Sequence, residues 1–500
     1  GQPEVGVAGV DRGDLGEPHG PAVAGHRHVA DVDDGVAGRS VQRQVVAVVG
    51  PPALEGGGHP RQRAGAARQP ESVDQSDRRV PINLRQSGPT PVEMLISTRV
   101  RKSPYWHLAY ESGCWRATVY NRMYHPRGYV RPEDGGAMVE YESLIHDVTM
   151  WNVAVERQIQ VKGPDAERFV NYVITRDATK IKPMRGKYVI LCNEDGGILN
   201  DPVLLRMAED EFWFSLSDSD LEFWLRGVNI GMGFNVSIAE IDVAPVQIQG
   251  PKSEALMADL FGVRVKDIPY YGLMEGQVAG HDVIISQTGF TGEKGYEIYL
   301  KEATRYAEDL WYTVLGAGEA HNLRVIAPAH HRRIAAGILS WGQDVDQETL
   351  PFQCNLAYQV PRNKEADYIG KQALEKAREQ LDAGRPPFSH VMVGIRFGGG
   401  QVTDYANDFW LVSGPDGGKP KGYVTSPWYS PELETNIALA YVPFEMRAIG
   451  TRLTVHLPVE YAAANGSTEV EAEVVEVPFR PSVNPNARER ARAKGIDFAD

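Results

Sequence analysis

A short glycine-rich segment offers the first group of residues that could do chemistry. Residues 196–202 read GGILNDP and follow a strand-like stretch that begins at Tyr188. Paired glycines let the backbone turn tightly and approach a ligand closely, and this turn would present Asn200 and Asp201 at its mouth. A carboxylate held there could orient a ligand or exchange a proton with it. A plain β-hairpin without a ligand is the alternative that this pattern leaves open.

A second segment combines glycines, aromatic rings and a carboxylate. Residues 287–299 read QTGFTGEKGYEIY. The alternation of a strand would place Glu297 and Tyr299 on one face, opposite Tyr296 and Ile298. If that face lines a cavity, the carboxylate can accept a pair of N–H donors, which suits the aminopyrimidine edge of a pterin. A solvent-exposed face, the commoner fate of a strand glutamate, is the alternative.

A third segment, residues 332–344, reads RRIAAGILSWGQD and follows His330 and His331. Its two arginines could hold a carboxylate, or they could lie in solvent at a helix end. Adjacent histidines do not share a helix face, and no residue at the right spacing completes a ligand set. We therefore predict no metal site, and the role of the two histidines stays open.

A mixed α and β framework must position these segments. Residues 155–161 (VERQIQV) alternate apolar and polar side chains, which predicts a strand. Gly163-Pro164 follows, and then a helix predicted over 166–173. The same order of strand, Gly-Pro turn and helix recurs at 246–261, which suggests an internal duplication. Strand, turn and helix is also a common local arrangement, so the repeat alone does not decide the point.

Further elements surround the second segment. Strands are predicted at 283–287 and 296–300, and amphipathic helices at 305–317 and 369–381. Together with the earlier elements they predict a core of two α/β subdomains over residues 94–385.

A Gly-Arg-Pro-Pro break at 384–387 marks the end of that core. Beyond it, short apolar runs separated by turn residues predict a small all-β barrel or sandwich over 386–480. These runs are residues 391–397, 409–412, 422–425, 437–442 and 452–457. The last segment, 481–500, is polar and is predicted to be a loose tail.

Composition narrows the classes of function. The apolar share of 42% and the net charge of −14 are those of an acidic globular protein, which is a poor candidate for binding nucleic acid or anionic lipid. Cys114, Cys192 and Cys354 lie far apart and indicate neither a zinc site nor a disulfide framework. No apolar run approaches the roughly 20 residues of a membrane helix, and no signal-peptide pattern is present. We predict a cytoplasmic protein with no nucleic-acid or membrane partner.

Residues 1–93 differ in composition from the rest of the chain. They contain no Phe, Tyr, Trp, Lys, Met or Cys, whereas Met94, Lys102, Tyr105 and Trp106 follow in quick succession. A segment rich in glycine and proline and without aromatic residues cannot bury enough apolar area to offset its chain entropy. We predict that it is disordered, either as a natural extension or because the gene start is over-extended and the working protein begins near Met94.

From about Ile96 to Leu457 the chain resembles the glycine-cleavage T-protein superfamily. It resembles most closely the branch of dimethylsulfoniopropionate demethylase and related tetrahydrofolate-dependent demethylases. The resemblance rests on short stretches that occur in the family's order. These are TVYNRM (118–123), WNVAVERQ (151–158), residues 196–202, FWFSLSDSDLEFW (212–224), QGPK (249–252), residues 288–299, residues 336–344, YIGKQAL (368–374), GYVTSPWYSP (422–431) and residues 435–441.

The resemblance implies an α+β fold of three small domains around a central hole that holds folate, with a C-terminal β-barrel. It also implies that four residues bind tetrahydrofolate and that three aromatic residues line the pocket of a methyl donor. The folate-binding set is Tyr188, Asn200, Asp201 and Glu297, and the donor set is Tyr120, Phe290 and Tyr299.

We therefore predict a methyltransferase that moves a methyl group from a small methylated donor to N5 of tetrahydrofolate. Asp201 is the predicted catalytic carboxylate, which would orient or exchange a proton near N5. The donor could be a sulfonium, a betaine or a methoxy compound, and an aromatic pocket suits a cationic one. The sequence offers no obvious nucleophile, so in-line transfer without a covalent enzyme intermediate is expected.

Two other functions stay open. A glycine-cleavage aminomethyltransferase would work with a lipoyl carrier protein, although Asn200 stands where those enzymes commonly carry another acid. A folate-binding module without catalysis is the third possibility. The KGCxxGQE motif of such relatives is absent here, since the chain reads Tyr368-Ile369-Gly370-Lys371-Gln372.

Overall fold

The structure of the protein, a computed structural model, describes residues 96–406 and 408–480. The predictions made for residues 1–93 and for the tail at 481–500 lie outside these ranges. Nine α-helices and 21 strands occur within them. None of these helices has both the length and the apolar character needed to cross a membrane.

A helix and a β-hairpin come first in the chain. The elements are α1 (Trp106–Glu111), β1 (Arg116–Tyr120), β2 (Met123–Gly128) and α2 (Gly136–His146). β1 and β2 pair in antiparallel fashion, and Tyr120 lies opposite Met123. The two residues between the strands, Asn121 and Arg122, both have positive φ angles, of 48° and 59°, which is the geometry of a tight two-residue hairpin turn. The turn holds the end of β1 against the start of β2.

The first large sheet has five antiparallel strands in the order β10-β4-β9-β8-β5. Its strands are β4 (Gln158–Lys162), β5 (Arg185–Tyr188), β8 (Val203–Ala208), β9 (Glu211–Ser215) and β10 (Ser237–Glu240). α3 (Ala166–Val173) and α4 (Leu221–Met232) bury their apolar residues against it. A short hairpin, β6 (Leu191–Cys192) and β7 (Ile198–Asn200), is inserted between β5 and β8.

The second sheet has six strands in the order β12-β13-β14-β11-β3-β15. Its strands are β3 (Val148–Asn152), β11 (Val243–Gln249), β12 (Leu273–Val278), β13 (His281–Ser286), β14 (Gly295–Lys301) and β15 (Leu323–Val325). Only the pairing of β15 with β3 is parallel among these described strands. α5 (Ser253–Phe261) and α6 (Ala303–Gly318) cover one face, with their buried residues in a common core.

The two predicted strand-turn-helix units adopt the same local geometry. Gly163 and Gly250 have φ angles of 144° and 126°, in the region that favours glycine. A Cβ atom at either position would lie 2.5 Å from a backbone oxygen. The carbonyl of each glycine accepts a hydrogen bond from the residue three positions on, Ala166 N at 2.9 Å and Ser253 N at 3.0 Å. The units lie in different sheets, which is the arrangement that an internal duplication predicts.

The C-terminal part is a closed six-stranded barrel in the order β16-β19-β18-β17-β20-β21. α7 (His330–Ala335) and α8 (Lys371–Asp382) precede it. The barrel consists of β16 (His390–Phe397), β17 (Trp410–Gly414), β18 (Gly417–Ser430), β19 (Thr435–Pro443), β20 (Arg452–His456), α9 (Val459–Asn465) and β21 (Glu469–Val475). The prediction of an α+β fold with a C-terminal barrel is confirmed, and the barrel rather than the sandwich is correct.

The strand predicted over residues 155–161 was wrong at its start. The alternation over 155–161 predicted a strand from Val155, but β4 begins at Gln158. Local hydrogen bonds turn the backbone instead, from Glu156 N to Val153 O at 2.9 Å and from Arg157 N to Val155 O at 3.0 Å. The turn directs Glu156 away from the sheet register that the alternation predicted.

Candidate active site

A cavity of about 1180 Å³ gathers the candidate residues. Its wall comes from β2, the turn before β4, β5, β9, β11, the loop before β14, residues 336–341 and residues 477–478. Asp201 and residues 287–295 both contribute to it. Both glycine-bearing segments therefore contribute residues to one cavity.

The position of Asp201 depends on the β6–β7 hairpin. A Cβ atom at Gly197 would lie 1.7 Å from the backbone oxygen of Gln347, so only glycine lets the two chain segments approach this closely. Asn193 Oδ1 accepts from Gly197 N at 2.8 Å and stabilises the turn. β7 then ends at Asn200, and Asp201 follows at the cavity wall.

Asp201 is a buried carboxylate held by two hydroxyl groups. The Tyr188 hydroxyl donates to Oδ2 at 2.9 Å, and the Ser217 hydroxyl donates to Oδ1. Burial raises the pKa of Asp201 to about 6, although both hydrogen bonds oppose this shift. A carboxyl group with a pKa near neutrality can exist in either form at physiological pH, which suits proton exchange.

Tyr188 lines the cavity, whereas Asn200 lies behind its wall. Asn200 Nδ2 donates to Ser217 O at 3.0 Å and to Ser219 Oγ at 2.8 Å, and its Oδ1 accepts from Ser217 N at 3.2 Å. The structure does not bring Asn200 to the ligand space. It positions Ser217 instead, and Ser217 in turn contacts Asp201.

Glu297 is buried on β14, so the alternative of a solvent-exposed face was wrong. Its Oε2 accepts from Thr288 Oγ1 and from the Tyr299 hydroxyl, both at 2.6 Å. Glu297 lines the cavity, while Tyr299 is fully buried behind it and reaches the ligand space only through Glu297. Tyr296 and Ile298 lie on the opposite face, in the core of the second sheet.

Glu156 is a cavity residue that the sequence analysis missed. It lies in the turn before β4, and Ser215 Oγ donates to its Oε2 at 3.2 Å. Burial and the nearby Glu297 raise the pKa of Glu156 well above its ordinary value, and burial also raises the pKa of Glu297. Two buried carboxyl groups in one site favour sharing a single proton. Glu297 accepts from two hydroxyl groups at 2.6 Å and Glu156 from one at 3.2 Å, so the charged form is stabilised more at Glu297.

Two glutamines in the wall carry polar atoms without partners among the described residues. Gln247 on β11 lies directly opposite Glu297, and its Nε2 has no acceptor. Gln359 has neither an acceptor for Nε2 nor a donor for Oε1. Each buried polar group left unsatisfied costs about 1–3 kcal/mol. Both residues also belong to the cavity wall.

The predicted aromatic residues meet a basic strand. Tyr120 and Phe290 line the cavity together with His125 and Arg127 of β2. Burial and the nearby Arg127 lower the pKa of His125, and burial lowers the pKa of His330, which also lines the cavity. Both imidazoles are therefore neutral at physiological pH.

The arginines of the third segment both hold carboxylates of the chain itself, so the alternative of solvent exposure was wrong. Arg333 is fully buried and forms an ion pair with Asp344. Arg332 pairs with Glu293 and with Glu432. Each buried arginine therefore needs its carboxylate partner, because a buried charge without a partner is costly.

His331 packs away from the cavity, with its ring centroid 5.0 Å from that of Tyr141 and 5.8 Å from that of Trp428. Burial lowers the pKa of His331 to about 3.

Among the described residues, no three His, Cys, Asp or Glu side chains lie close enough together to hold a metal ion.

Comparison with known proteins identifies the family of this chain. The profile of the GCVT N-terminal domain matches residues 107–364, and that of the glycine cleavage T-protein C-terminal barrel domain matches residues 392–480. The chain belongs to the glycine-cleavage T-protein family. The resemblance seen in the sequence is confirmed.

Two kinds of T-protein relative match this chain at the same identity. Dimethylsulfoniopropionate demethylase of Ruegeria pomeroyi is 33% identical over 362 residues, which cover 72% of this chain and 94% of that protein. The aminomethyltransferase of Streptomyces coelicolor is 33% identical over 299 residues, which cover 59% of this chain and 78% of that protein. The prediction of a one-carbon transferase is confirmed, and identity alone does not choose the donor.

A solved structure supports the fold. Glycine cleavage system aminomethyltransferase T from Bartonella henselae superimposes with a TM-score of 0.66 at 24% identity, covering 77% of this chain and 99% of that one. The T-protein fold predicted from the sequence is therefore confirmed.

Proposed function

We propose that this T-protein is a tetrahydrofolate-dependent demethylase, which takes a methyl group from a small methylated donor. One observation carries the proposal. A single cavity joins a carboxyl cluster suited to a pterin with an aromatic wall suited to a methylated compound. Pockets for one drug-sized ligand span roughly 300–1,000 Å³, so a volume of about 1180 Å³ has room for both substrates.

The carboxyl cluster supports tetrahydrofolate as one of them. The edge of a pterin offers adjacent N–H donors beside a carbonyl acceptor. Glu297 would accept the N–H donors, while the neutral Glu156 and the unsatisfied Nε2 of Gln247 would donate to acceptors. Tyr188 would form part of the wall beside the ring. This pairing would give Gln247 Nε2, which has no partner among the described residues, an acceptor.

Bound tetrahydrofolate would supply N5 as the methyl acceptor. Asp201 would hold or take up the proton of that nitrogen, because its carboxyl group has a pKa of about 6 and two hydroxyl donors fix its orientation. Tyr120 and Phe290 would hold the methylated end of the donor, and their faces favour a cation. The chain's contribution to rate is then chiefly the alignment of donor and acceptor and the exclusion of water.

An aminomethyltransferase working with a lipoyl carrier protein is the second candidate. The equal identity of the Streptomyces coelicolor aminomethyltransferase supports it. Asn200 argues against it, because its side chain is committed to Ser217 and Ser219 behind the cavity wall.

We also propose a cytoplasmic location, since the described cysteines form no disulfide.

The test is to incubate the protein with tetrahydrofolate and a panel of methylated sulfonium, betaine and methoxy-aromatic compounds, and to detect methylated folate by mass spectrometry. We expect 5-methyltetrahydrofolate from at least one donor, and no turnover by Asp201→Ala. Activity only with glycine and a lipoyl carrier protein would favour the aminomethyltransferase. Folate binding without turnover of any substrate would favour a non-catalytic module.

A further inference from the structure

Glu140 of α2 is a buried carboxylate that lies outside the wall of the large cavity. The residue is only 4% exposed, and its side chain accepts hydrogen bonds from three backbone N–H groups. Tyr129 N and Val130 N donate to Oε1 at 2.8 and 2.9 Å, and Ala327 N donates to Oε2 at 2.8 Å. Hydrogen bonds to an ionised acceptor are strong ones, so this carboxylate joins two segments that are far apart in the chain.

The first of these segments supports the β1–β2 hairpin. Residues 129–130 follow β2 directly. Arg127, near the end of β2, lines the cavity, as does Tyr120 at the end of β1. The turn of the hairpin is held separately, by hydrogen bonds from Asn121 Nδ2 to two backbone oxygens. Glu140 therefore holds the hairpin at the end opposite its turn.

The second segment supports another part of the cavity wall. Ala327 directly precedes Pro328, which lines the cavity. Its neighbours Ile326 and Ala329 belong to a small buried cluster against which Phe290 packs. Phe290 also lines the cavity. A displacement of Ala327 would therefore move the residues that support Phe290.

Only a carboxylate at position 140 can serve both segments. Both of its oxygens accept hydrogen bonds, whereas the amide of glutamine has one accepting oxygen and an NH2 group that donates. In Glu140→Gln the amide would accept from one segment and turn a donor towards the N–H of the other. The substitution keeps the volume of the side chain but disconnects the two segments.

We propose that Glu140 is a positioning residue for the methyl donor, because its carboxylate fixes the hairpin that carries Tyr120 relative to the segment that supports Phe290. These two aromatic residues form the proposed donor wall. Glu156 and Glu297, which are proposed to hold the pterin, lie on other elements, the turn before β4 and strand β14. The inference rests on the proposed function, because it concerns the second substrate of that reaction.

The test compares Glu140→Gln and Glu140→Asp with a matched control, Asn436→Asp. Asn436 is also buried, and its side chain also makes three hydrogen bonds to the backbone. Its Oδ1 accepts from Val402 N at 3.0 Å, and its Nδ2 donates to Gly398 O at 3.3 Å and to Gly400 O at 3.0 Å. None of these residues belongs to the described wall of the large cavity. Two quantities are measured for each protein: kcat/KM for the best donor of the panel at saturating tetrahydrofolate, and the Kd of 5-formyltetrahydrofolate by titration calorimetry.

We expect Glu140→Gln to lower kcat/KM for the donor by about 10- to 100-fold, because small displacements of positioning groups have effects of this size. Its Kd for 5-formyltetrahydrofolate should change by less than about threefold, since the pterin site lies on other elements. Glu140→Asp keeps both accepting oxygens on a shorter side chain and should retain more donor turnover than Glu140→Gln. Asn436→Asp should leave both quantities within about threefold of wild type. Thermal melting shows whether each variant is folded.

Any of four results would overturn the inference. These are unchanged donor turnover in Glu140→Gln, an equal loss of donor turnover and folate affinity, better turnover by Glu140→Gln than by Glu140→Asp, or the same donor-specific loss in Asn436→Asp. Each of them leaves the demethylase proposal intact. If Glu140→Gln does not fold, the comparison of donor turnover with folate affinity is made on Glu140→Asp. If wild type binds 5-formyltetrahydrofolate but methylates tetrahydrofolate from no member of the panel, the proposed function itself fails and the inference fails with it.

Discussion

Asp201 illustrates how the surroundings of one residue set its working pH. Its side chain is buried and accepts from Tyr188 and Ser217. Burial disfavours the charged form and raises its pKa to about 6, above the value of about 3.9 expected in the unfolded chain. The folded protein therefore binds this proton more tightly than the unfolded one. Ionisation of Asp201 costs stability as the pH rises from about 4 to about 6, and the cost is constant above that.

Asp201→Asn should consequently stabilise the protein while it inactivates the enzyme. We expect a gain of about 1–3 kcal/mol in the free energy of unfolding at pH 8, which shrinks towards zero at pH 4. Urea denaturation of both proteins at the two pH values measures this difference. Equal stability at pH 8 would contradict the assigned burial penalty.

Tyr188→Phe should shift the pH at which the enzyme becomes active. The Tyr188 hydroxyl lowers the pKa of Asp201 by donating to the carboxylate, so its loss should raise that pKa further. The acid limb of the profile of kcat/KM against pH should therefore move above pH 6. A limb that moves to lower pH, or stays in place, would show that another group controls it.

The two glutamates of the cavity should respond differently to the same substitution. Glu156→Gln mimics the protonated form and should change the affinity for 5-formyltetrahydrofolate by less than about threefold. Glu297→Gln removes the charged acceptor and should weaken binding by about 10- to 100-fold. Titration calorimetry gives both affinities. Affinity of the wild type should also fall as the pH rises through the elevated pKa of Glu156, whereas Glu156→Gln should lack this dependence.

At the scale of elements, the alternation of side chains predicted the regular strands, but it did not show where the backbone becomes irregular. The alternation around Glu297 correctly placed Glu297 with Tyr299 and opposite Ile298, because β14 is a regular strand. The alternation before β4 placed the start of that strand too early, at Val155 rather than Gln158, and the turn there hid Glu156. No local pattern distinguishes a backbone that turns from one that continues when both carry alternating residues.

Contacts between distant elements explain the remaining differences. Asp201 was predicted, but Ser217 was not, because their contact joins the end of β7 to the segment after β9. Gln247 meets Glu297 only through the pairing of β11 with β14. Asn200 carried the same sequence signal as Asp201, yet its neighbours draw its side chain away from the cavity. Sequence therefore identified the segments of the site better than the direction of each side chain.

The β6–β7 hairpin gives a prediction at this scale. Gly197→Ala places a Cβ atom against the Gln347 carbonyl, and a backbone atom cannot yield as a flexible side chain does. We expect a loss of about 3 kcal/mol or more in the free energy of unfolding, or failure to fold. Gly227→Ala is the control, since a Cβ atom there meets nothing within 4 Å on the exposed side of α4. This variant should stabilise the protein by about 1 kcal/mol. Similar stability changes in the two variants would refute the steric argument.

At the scale of the whole molecule, one buried ion pair joins the core to the barrel. Arg333 of α7 pairs with Asp344, and its guanidinium also donates to Ser426 of β18 at 2.8 Å. The hydroxyls of Thr425 and Ser426 donate to Asp344. The Tyr441 hydroxyl of β19 donates to the backbone oxygen of Asp344 at 2.9 Å.

Removing either charge should be costly. Arg333→Met and Asp344→Asn should each lose about 3–5 kcal/mol in the free energy of unfolding, because the other charge is left buried and unpaired. The double variant should lose less than the sum of the two, by about 1–3 kcal/mol. Chemical denaturation of all four proteins completes the cycle. Simple additivity would mean that the two charges do not depend on each other.

Residues 477–478 follow the last barrel strand and contribute to the same cavity wall as Tyr120, more than 300 positions earlier in the chain. A molecule bound in this cavity would contact residues from the early and the late parts of the described chain. Ligand binding in the cavity and docking of the barrel are therefore linked equilibria. A saturating concentration of ligand should slow the hydrogen exchange of barrel amides, including amides far from the cavity. Bound substrate would therefore stabilise the docked barrel as well as react in the cavity.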